Sequence, residues 1–245
     1  MQLMFGDSLL LERHRTAELM DQPGVTVEEL RHAHKTLARV NQLSLTASQL
    51  WNEIDLWRCR SGVTQLNVLD VACGAGDLLR SLELRAFRKG ISFYGHGIDI
   101  NPDSILIARE QTAGDSNVSY SVGDALNTIS TQYNVIVSTL FLHHLTQTEA
   151  VDFLRSIWKA SNGIVLIHDL RRSASGYALA WLGTRLLSNQ PMIRVDGLKS
   201  VRAAFSIPEI KKLLSDAHIS NGILKTKFPR RLLLSIEPKN SGILT

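Results

Sequence analysis

Cysteine is nearly absent from this chain: of its 245 residues, only Cys59 and Cys73 carry thiols. They form no C-x-x-C pair. That removes a disulfide framework and a cysteine zinc site from consideration, and a reducing cytoplasm is the expected compartment. Long hydrophobic runs are missing too. No apolar stretch approaches the roughly 18 residues needed to cross a bilayer. Met1–Leu11 contains Asp7 and runs straight into Glu12 and Arg13, unlike the basic start and long apolar centre of a signal peptide. Neither charge sign dominates: 27 Lys and Arg oppose 23 Asp and Glu, a net +4, and Arg171–Arg172 and Arg230–Arg231 are pairs rather than parts of a basic run. So mild an excess reads as an ordinary surface or as a weak preference for an acidic partner. Repeats and low-complexity tracts are absent. What is present, 44% hydrophobic and 20% charged residues, is the composition of a soluble globular chain with a sizeable core. The length fits one large domain, or a core with an added lid.

Periodicity divides the chain. Residues 1–62 read as helical. Thr26 opens a capping box with Glu29, Leu30 to Leu43 recur at helical spacing, and Leu45–Trp57 forms a second amphipathic helix ending before Ser61-Gly62. From Asn67 strands and helices alternate. Strands are expected at Asn67–Val71, Ser92–Asp99, Val118–Val122, Tyr133–Ser138 and Gly163–His168, with helices from Asp77 to about Arg88, from Pro102 through Arg109, and over Thr146–Lys159. Nearly continuous apolar strands suit a parallel sheet covered on both faces. Residues 170–205 interrupt the rhythm, with an apolar helix at Tyr177–Leu187 and a polar stretch through Gly197. Ser206 and Glu209 then start a helix that runs to about Ala217. Two strands, near Gly222–Thr226 and at Arg231–Ile236, lack an intervening helix and must pair antiparallel. The expected domains are a helical N-terminal lid over 1–62 and a core over 63–245, with an inserted cap at 170–205.

The segment Val68-Leu69-Asp70-Val71-Ala72-Cys73-Gly74-Ala75-Gly76-Asp77 turns a strand sharply into a helix. Gly74 and Gly76 permit both the turn and a close ligand approach, although a glycine pair also serves many plain turns. A dinucleotide loop would want a third glycine where Leu79 stands. Asp70 would repel a diphosphate, whereas it suits a ligand carrying an ammonium and a sulfonium.

This segment resembles motif I of the class I S-adenosylmethionine-dependent methyltransferases, with Ala72 where the first glycine is common. The resemblance is strong over Asn67–Asp169 and extends to Ser206–Ile236 by element order. It implies a Rossmann-like α/β fold, with a doubly wound, mostly parallel seven-stranded sheet and a C-terminal antiparallel hairpin. It also implies S-adenosylmethionine as cofactor, held by Asp70, Ala72, Cys73, Gly74 and Gly76. Asp99, beside Ile100, matches the acid that binds the ribose hydroxyls, a diol that suits two carboxylate oxygens. Asp124 and Ala125 match the adenine contact, and Ser138 ends the strand that walls the methionine moiety.

Methyl transfer needs a base only where the nucleophile must lose a proton. His144, His143 and His168 are the candidates, with His144 preferred because similar small-molecule enzymes often carry a histidine pair there. Each suits equally a hydrogen bond to a turn or to the cofactor wall. Asp169 would orient a base or serve a turn. No metal ligand set is expected. The base-amine motif N/D-P-P-Y/F of nucleic-acid enzymes is replaced by Ser138-Thr139-Leu140-Phe141, so no nucleic-acid partner is expected. The pattern looks most like the quinone-type and polyketide-tailoring branch of secondary metabolism. It implies a small apolar or aromatic substrate, met by the Tyr177–Leu187 helix, and is compatible with a homodimer. O-methylation of a phenolic, quinone or polyketide-like acceptor is the expected reaction. C-methylation, RNA methylation and a silent cofactor-binding protein are the alternatives.

Overall fold

A computed structural model describes residues 8–127 and 133–237. A short helix α1 (Ser8–Leu11) and a 3-10 turn at Leu19–Asp21 lead into α2 (Val27–Leu43) and α3 (Thr46–Ser61). Thr26 and Glu29 form the expected reciprocal capping box on α2. The alternating part follows: β1 (Gln65–Val71), α4 (Asp77–Arg88), β2 (Ser92–Asp99), α5 (Pro102–Glu110), β3 (Val118–Val122), β4 (Tyr133–Thr139), α6 (Gln147–Ala160) and β5 (Ser161–Leu170). Then come α7 (Ala174–Leu187), α8 (Pro191–Ala203), α9 (Ile207–Asp216), β6 (Ile223–Lys227) and β7 (Arg231–Ile236).

The seven strands form one sheet in the order β3-β2-β1-β4-β5-β7-β6. β1 pairs in parallel with both β2 and β4, and β7 runs antiparallel between β5 and β6. The strand order therefore reverses beside β1, and ligands of open α/β sheets bind at such a switch point, beyond the strands' carboxyl ends. Successive residues serve opposite faces. Leu66, Val68, Ile164 and Leu166 pack with α3 and α4, while Leu69, Val71, Val165 and Ile167 pack with α6 and α9. This double burial explains the unbroken apolar runs.

One expectation is corrected. The stretch after Leu187 is not a polar connection through Gly197 but the helix α8, opened by Pro191. Its buried face includes the polar residues Asp196 and Ser200, so no apolar stripe marks it in the sequence. Asp196 accepts hydrogen bonds from the backbone N–H groups of Leu19 and Met20, at 2.8 and 3.0 Å, and Ser200 donates to Glu18. α7 also begins at Ala174, three residues before the expected start, because Ser173 caps it. Among the described residues, no helix is long and apolar enough to cross a membrane.

Candidate active site

At the end of β1 the chain enters the left-handed region three times, at Ala72 (φ 59°), Gly74 (φ 52°) and Gly76 (φ 73°). Gly76 closes the turn by donating its N–H to Cys73 O at 2.9 Å, and Cys73 N–H ties the loop to Ile98 O on β2. A Cβ on Gly76 would stand 2.3 Å from the Tyr120 hydroxyl, so glycine is required there by space as well as by backbone. Ala72 explains why glycine is common at its position: a left-handed alanine costs roughly 1–2 kcal/mol.

Asp99 is held from both sides. Oδ2 accepts the Gly74 N–H at 2.8 Å and Oδ1 the Asn101 N–H at 2.9 Å, which couples the ends of β1 and β2. Asp70 is fully buried, and neither of its carboxylate oxygens has a hydrogen-bond partner. Burial, reinforced by the charges of Asp77 and Asp99, raises its pKa well above the carboxylate range. Burial likewise raises the pKa of Asp77 and Asp99. Three carboxylates around one glycine loop, Asp70 buried and Asp77 and Asp99 partly so, disfavour a diphosphate there. Asp77 and Asp99, which line the adjoining cavity, fit the positively charged ammonium and sulfonium of S-adenosylmethionine, with Asp70 buried behind them.

This loop opens on a cavity of about 670 Å³ whose wall also carries a second polar cluster. His143, buried on the 3-10 turn after β4, meets Asp169 of β5 twice: Nδ1 lies 2.7 Å from Oδ1, and the backbone N–H donates to Oδ2 at 3.0 Å. Glu18 approaches from the N-terminal segment, with Oε1 3.6 Å from His143 Nε2 and 3.9 Å from His144 Nε2. Burial alone would depress the His143 pKa, but the charge and hydrogen bond of Asp169 and the nearby charge of Glu18 raise it to about 10. Burial and the neighbouring His143 charge push His144 down to about 4, so its imidazole is neutral at physiological pH. The rest of the wall is largely apolar, with Leu179, Ala180, Gly183 and Leu187 on one side of α7.

Part of the chain is similar to known proteins. A family model described as a methyltransferase domain matches residues 68–162, the span from the glycine loop to the start of β5. Residues 68–162 carry a methyltransferase domain. It is 27% identical over 134 residues to the mitochondrial ubiquinone biosynthesis O-methyltransferase of Saccharomyces cerevisiae, a match spanning 52% of this chain and 41% of the yeast protein. The magnesium protoporphyrin IX methyltransferase of Synechocystis PCC 6803 has a similar fold, with a TM-score of 0.55 at 17% identity, over 81% of this chain and 87% of that one. Human N-acetylserotonin methyltransferase also has this fold, with a TM-score of 0.62 at 14% identity, over 87% of this chain and 56% of that one. So does the plantazolicin methyltransferase BpumL, with a TM-score of 0.62 at 13% identity over 87% and 98%.

Within the methyltransferase domain, Ala72, Cys73, Gly74, Asp99, Ile100, Asp124 and Ala125 all line the cavity. Asp70, Gly76 and Ser138 do not, although Thr139 beside Ser138 does. Burial raises the pKa of the Cys73 thiol well above its usual range, so it stays protonated. The Asp124 carboxylate accepts from Leu126 N–H and from the Asn127 amide, both at 2.9 Å, and so shapes its own turn. His143 and His144 line the cavity; His168 does not. On β5 successive side chains alternate between faces, and His168 turns away from His143, towards Gln49 of α3 at 3.1 Å. Burial and the charge of Arg231 lower its pKa to about 3, which suits a neutral structural histidine. Among the polar cavity residues to which the sequence assigned no site role are Glu18, Asp196, His34 of α2, and Arg231, a buried guanidinium that opens β7.

Proposed function

We propose that the protein transfers a methyl group from S-adenosylmethionine to an oxygen of a small apolar or aromatic acceptor, such as a phenol, a hydroxyquinone or a polyketide-like compound. The observation that carries this reading is the continuity of one cavity from the carboxylate-lined glycine loop to the histidine pair and the apolar side of α7. The yeast relative's name, an O-methyltransferase of ubiquinone biosynthesis, supports the choice of oxygen.

When bound, the cofactor supplies an activated methyl group, so the chain's own contribution is positioning and exclusion of water. Asp99, aligned by two backbone N–H groups, would hold the ribose diol. Asp77 would balance the positive groups of the methionyl part from the cavity wall, with Asp70 buried behind the loop. Leu179, Ala180 and Leu187 would hold an apolar ring against that site, with α2, α7 and α8 covering it as a lid. His144, neutral and half-buried, would accept a hydrogen bond from the acceptor hydroxyl. His143, anchored by Asp169, would fix the turn that presents it.

Calorimetric titration tests the first half of this reading. One equivalent of S-adenosylmethionine should bind the folded protein, and Asp99→Ala should abolish most of that binding. A well-folded protein that binds none would contradict the proposal.

A further inference from the structure

Glu18, His143 and His144 come from a segment before α2 and from the turn after β4, yet their ligating atoms all lie within 4.8 Å of one another. We propose that these three side chains form a binding site for a divalent first-row transition metal, whose open position faces the acceptor. This inference rests on the methyl-transfer reading above for what the metal would bind, and on geometry for the site itself.

The spacing fits. Ligands held at about 2.0–2.2 Å from a tetrahedral ion stand roughly 3.3–3.6 Å apart. Glu18 Oε1 is 3.6 Å from His143 Nε2 and 3.9 Å from His144 Nε2, a shape that small rotamer shifts would close. Neither contact is a hydrogen bond at those lengths.

The surroundings are the second observation. A metal-ligating histidine usually turns its other ring nitrogen to a carboxylate, which fixes the ring. His143 Nδ1 lies 2.7 Å from Asp169 Oδ1, and His144 Nδ1 lies 3.5 Å from Asp21 Oδ2. Both Nε2 atoms are thereby turned to the same Glu18 oxygen, which Ser200 steadies with a hydrogen bond. An imidazolium between Asp169 and Glu18 would account for His143 in the metal-free protein, and metal binding at Nε2 would displace that proton.

Two imidazoles and one carboxylate suit Zn²⁺ or a neighbouring transition ion better than Mg²⁺ or Ca²⁺, which prefer oxygen ligands. Three protein ligands leave a position open, as in catalytic rather than structural sites. All three residues line the cavity. With the ion in place, its open position rather than the His144 ring takes the acceptor hydroxyl; a phenolic or enolic hydroxyl bound there would release its proton to solvent and remain as the oxyanion, the form that attacks a methyl group.

Metal-stripped full-length protein, titrated with Co²⁺ by visible absorption and with Zn²⁺ by calorimetry, tests the site without any acceptor. One equivalent should bind with ligand-field bands. Glu18→Gln and His144→Gln should each weaken binding by at least tenfold, with S-adenosylmethionine binding retained as the check of fold. Should either variant lose the cofactor as well, Asp169→Asn replaces it: all three ligands remain, and Co²⁺ affinity should fall by about 10–100-fold. Absence of stoichiometric Co²⁺ and Zn²⁺ binding, or binding that survives the substitutions, overturns the metal site and leaves the methyl-transfer reading intact. Loss of S-adenosylmethionine binding from the wild-type protein would instead overturn that reading.

Discussion

His143 is clamped by Asp169 at two points, ring and backbone, so that one carboxylate fixes both the side chain and the turn that carries it. The clamp has a pH signature. A histidine whose pKa is raised to about 10 contributes stability that is complete below its unfolded value of about 6.5 and is lost as pH rises through about 10. The metal-free protein should therefore lose thermal stability between about pH 6.5 and 10. Asp169→Asn should melt lower at pH 6.5 and lose most of that slope. Parallel slopes for the two proteins would show that His143 is not held as a cation.

Asp70 has the opposite logic. Its carboxyl is buried without a partner and its pKa is raised, so the folded chain keeps a proton that the unfolded chain releases above about pH 3.9. Stability is then lost as pH rises above that value. Asp70→Asn should raise the unfolding midpoint of the ligand-free protein at pH 7, with a gain that shrinks towards pH 4, while weakening S-adenosylmethionine binding. Denaturant titration and calorimetry on the same variant check both signs.

The glycine loop permits a paired test. Ala72→Gly relieves a left-handed alanine and should stabilise the protein by about 0.5–1 kcal/mol, the strain released less the extra entropy of the unfolded chain. Gly76→Ala places a methyl group 2.3–2.5 Å from three atoms of Tyr120 and should cost about 2–4 kcal/mol. Urea unfolding midpoints should move in opposite directions. Tyr120→Phe should not rescue Gly76→Ala, because two of the three clashing atoms are ring carbons.

The acceptor side can be blocked on its own. Ala180 lines the cavity from α7, away from the glycine loop. Ala180→Trp should raise the KM for acceptor or lower kcat by about a hundredfold, as misplacement of a reactant does, with cofactor affinity unchanged. Equal loss of cofactor binding would show that α7 does not bound a separate acceptor space.

The strands and the turn after β1 were legible because local chemistry dictates them. Apolar runs mark the strands of a sheet covered on both faces, Gly74 and Gly76 mark the turn, and Asp70 and Asp99 fall at the strand ends. The rest depends on contacts distant in sequence. Glu18 is held beside the histidines by α8, whose Asp196 accepts from Leu19 N–H, 177 residues away, and whose Ser200 donates to Glu18, and these buried polar residues hide the helix in the sequence. His168 is different: strand alternation alone turns it to the face opposite Asp169, away from His143.

The most direct measurement follows the methyl group itself. The protein, isotopically methyl-labelled S-adenosylmethionine and either a small-molecule cell extract or total RNA are incubated, and the products are resolved by mass. The label should appear as a methyl ether in a small apolar compound and should vanish with Asp99→Ala. Label confined to RNA, or no transfer by protein that binds the cofactor, would contradict the proposed function.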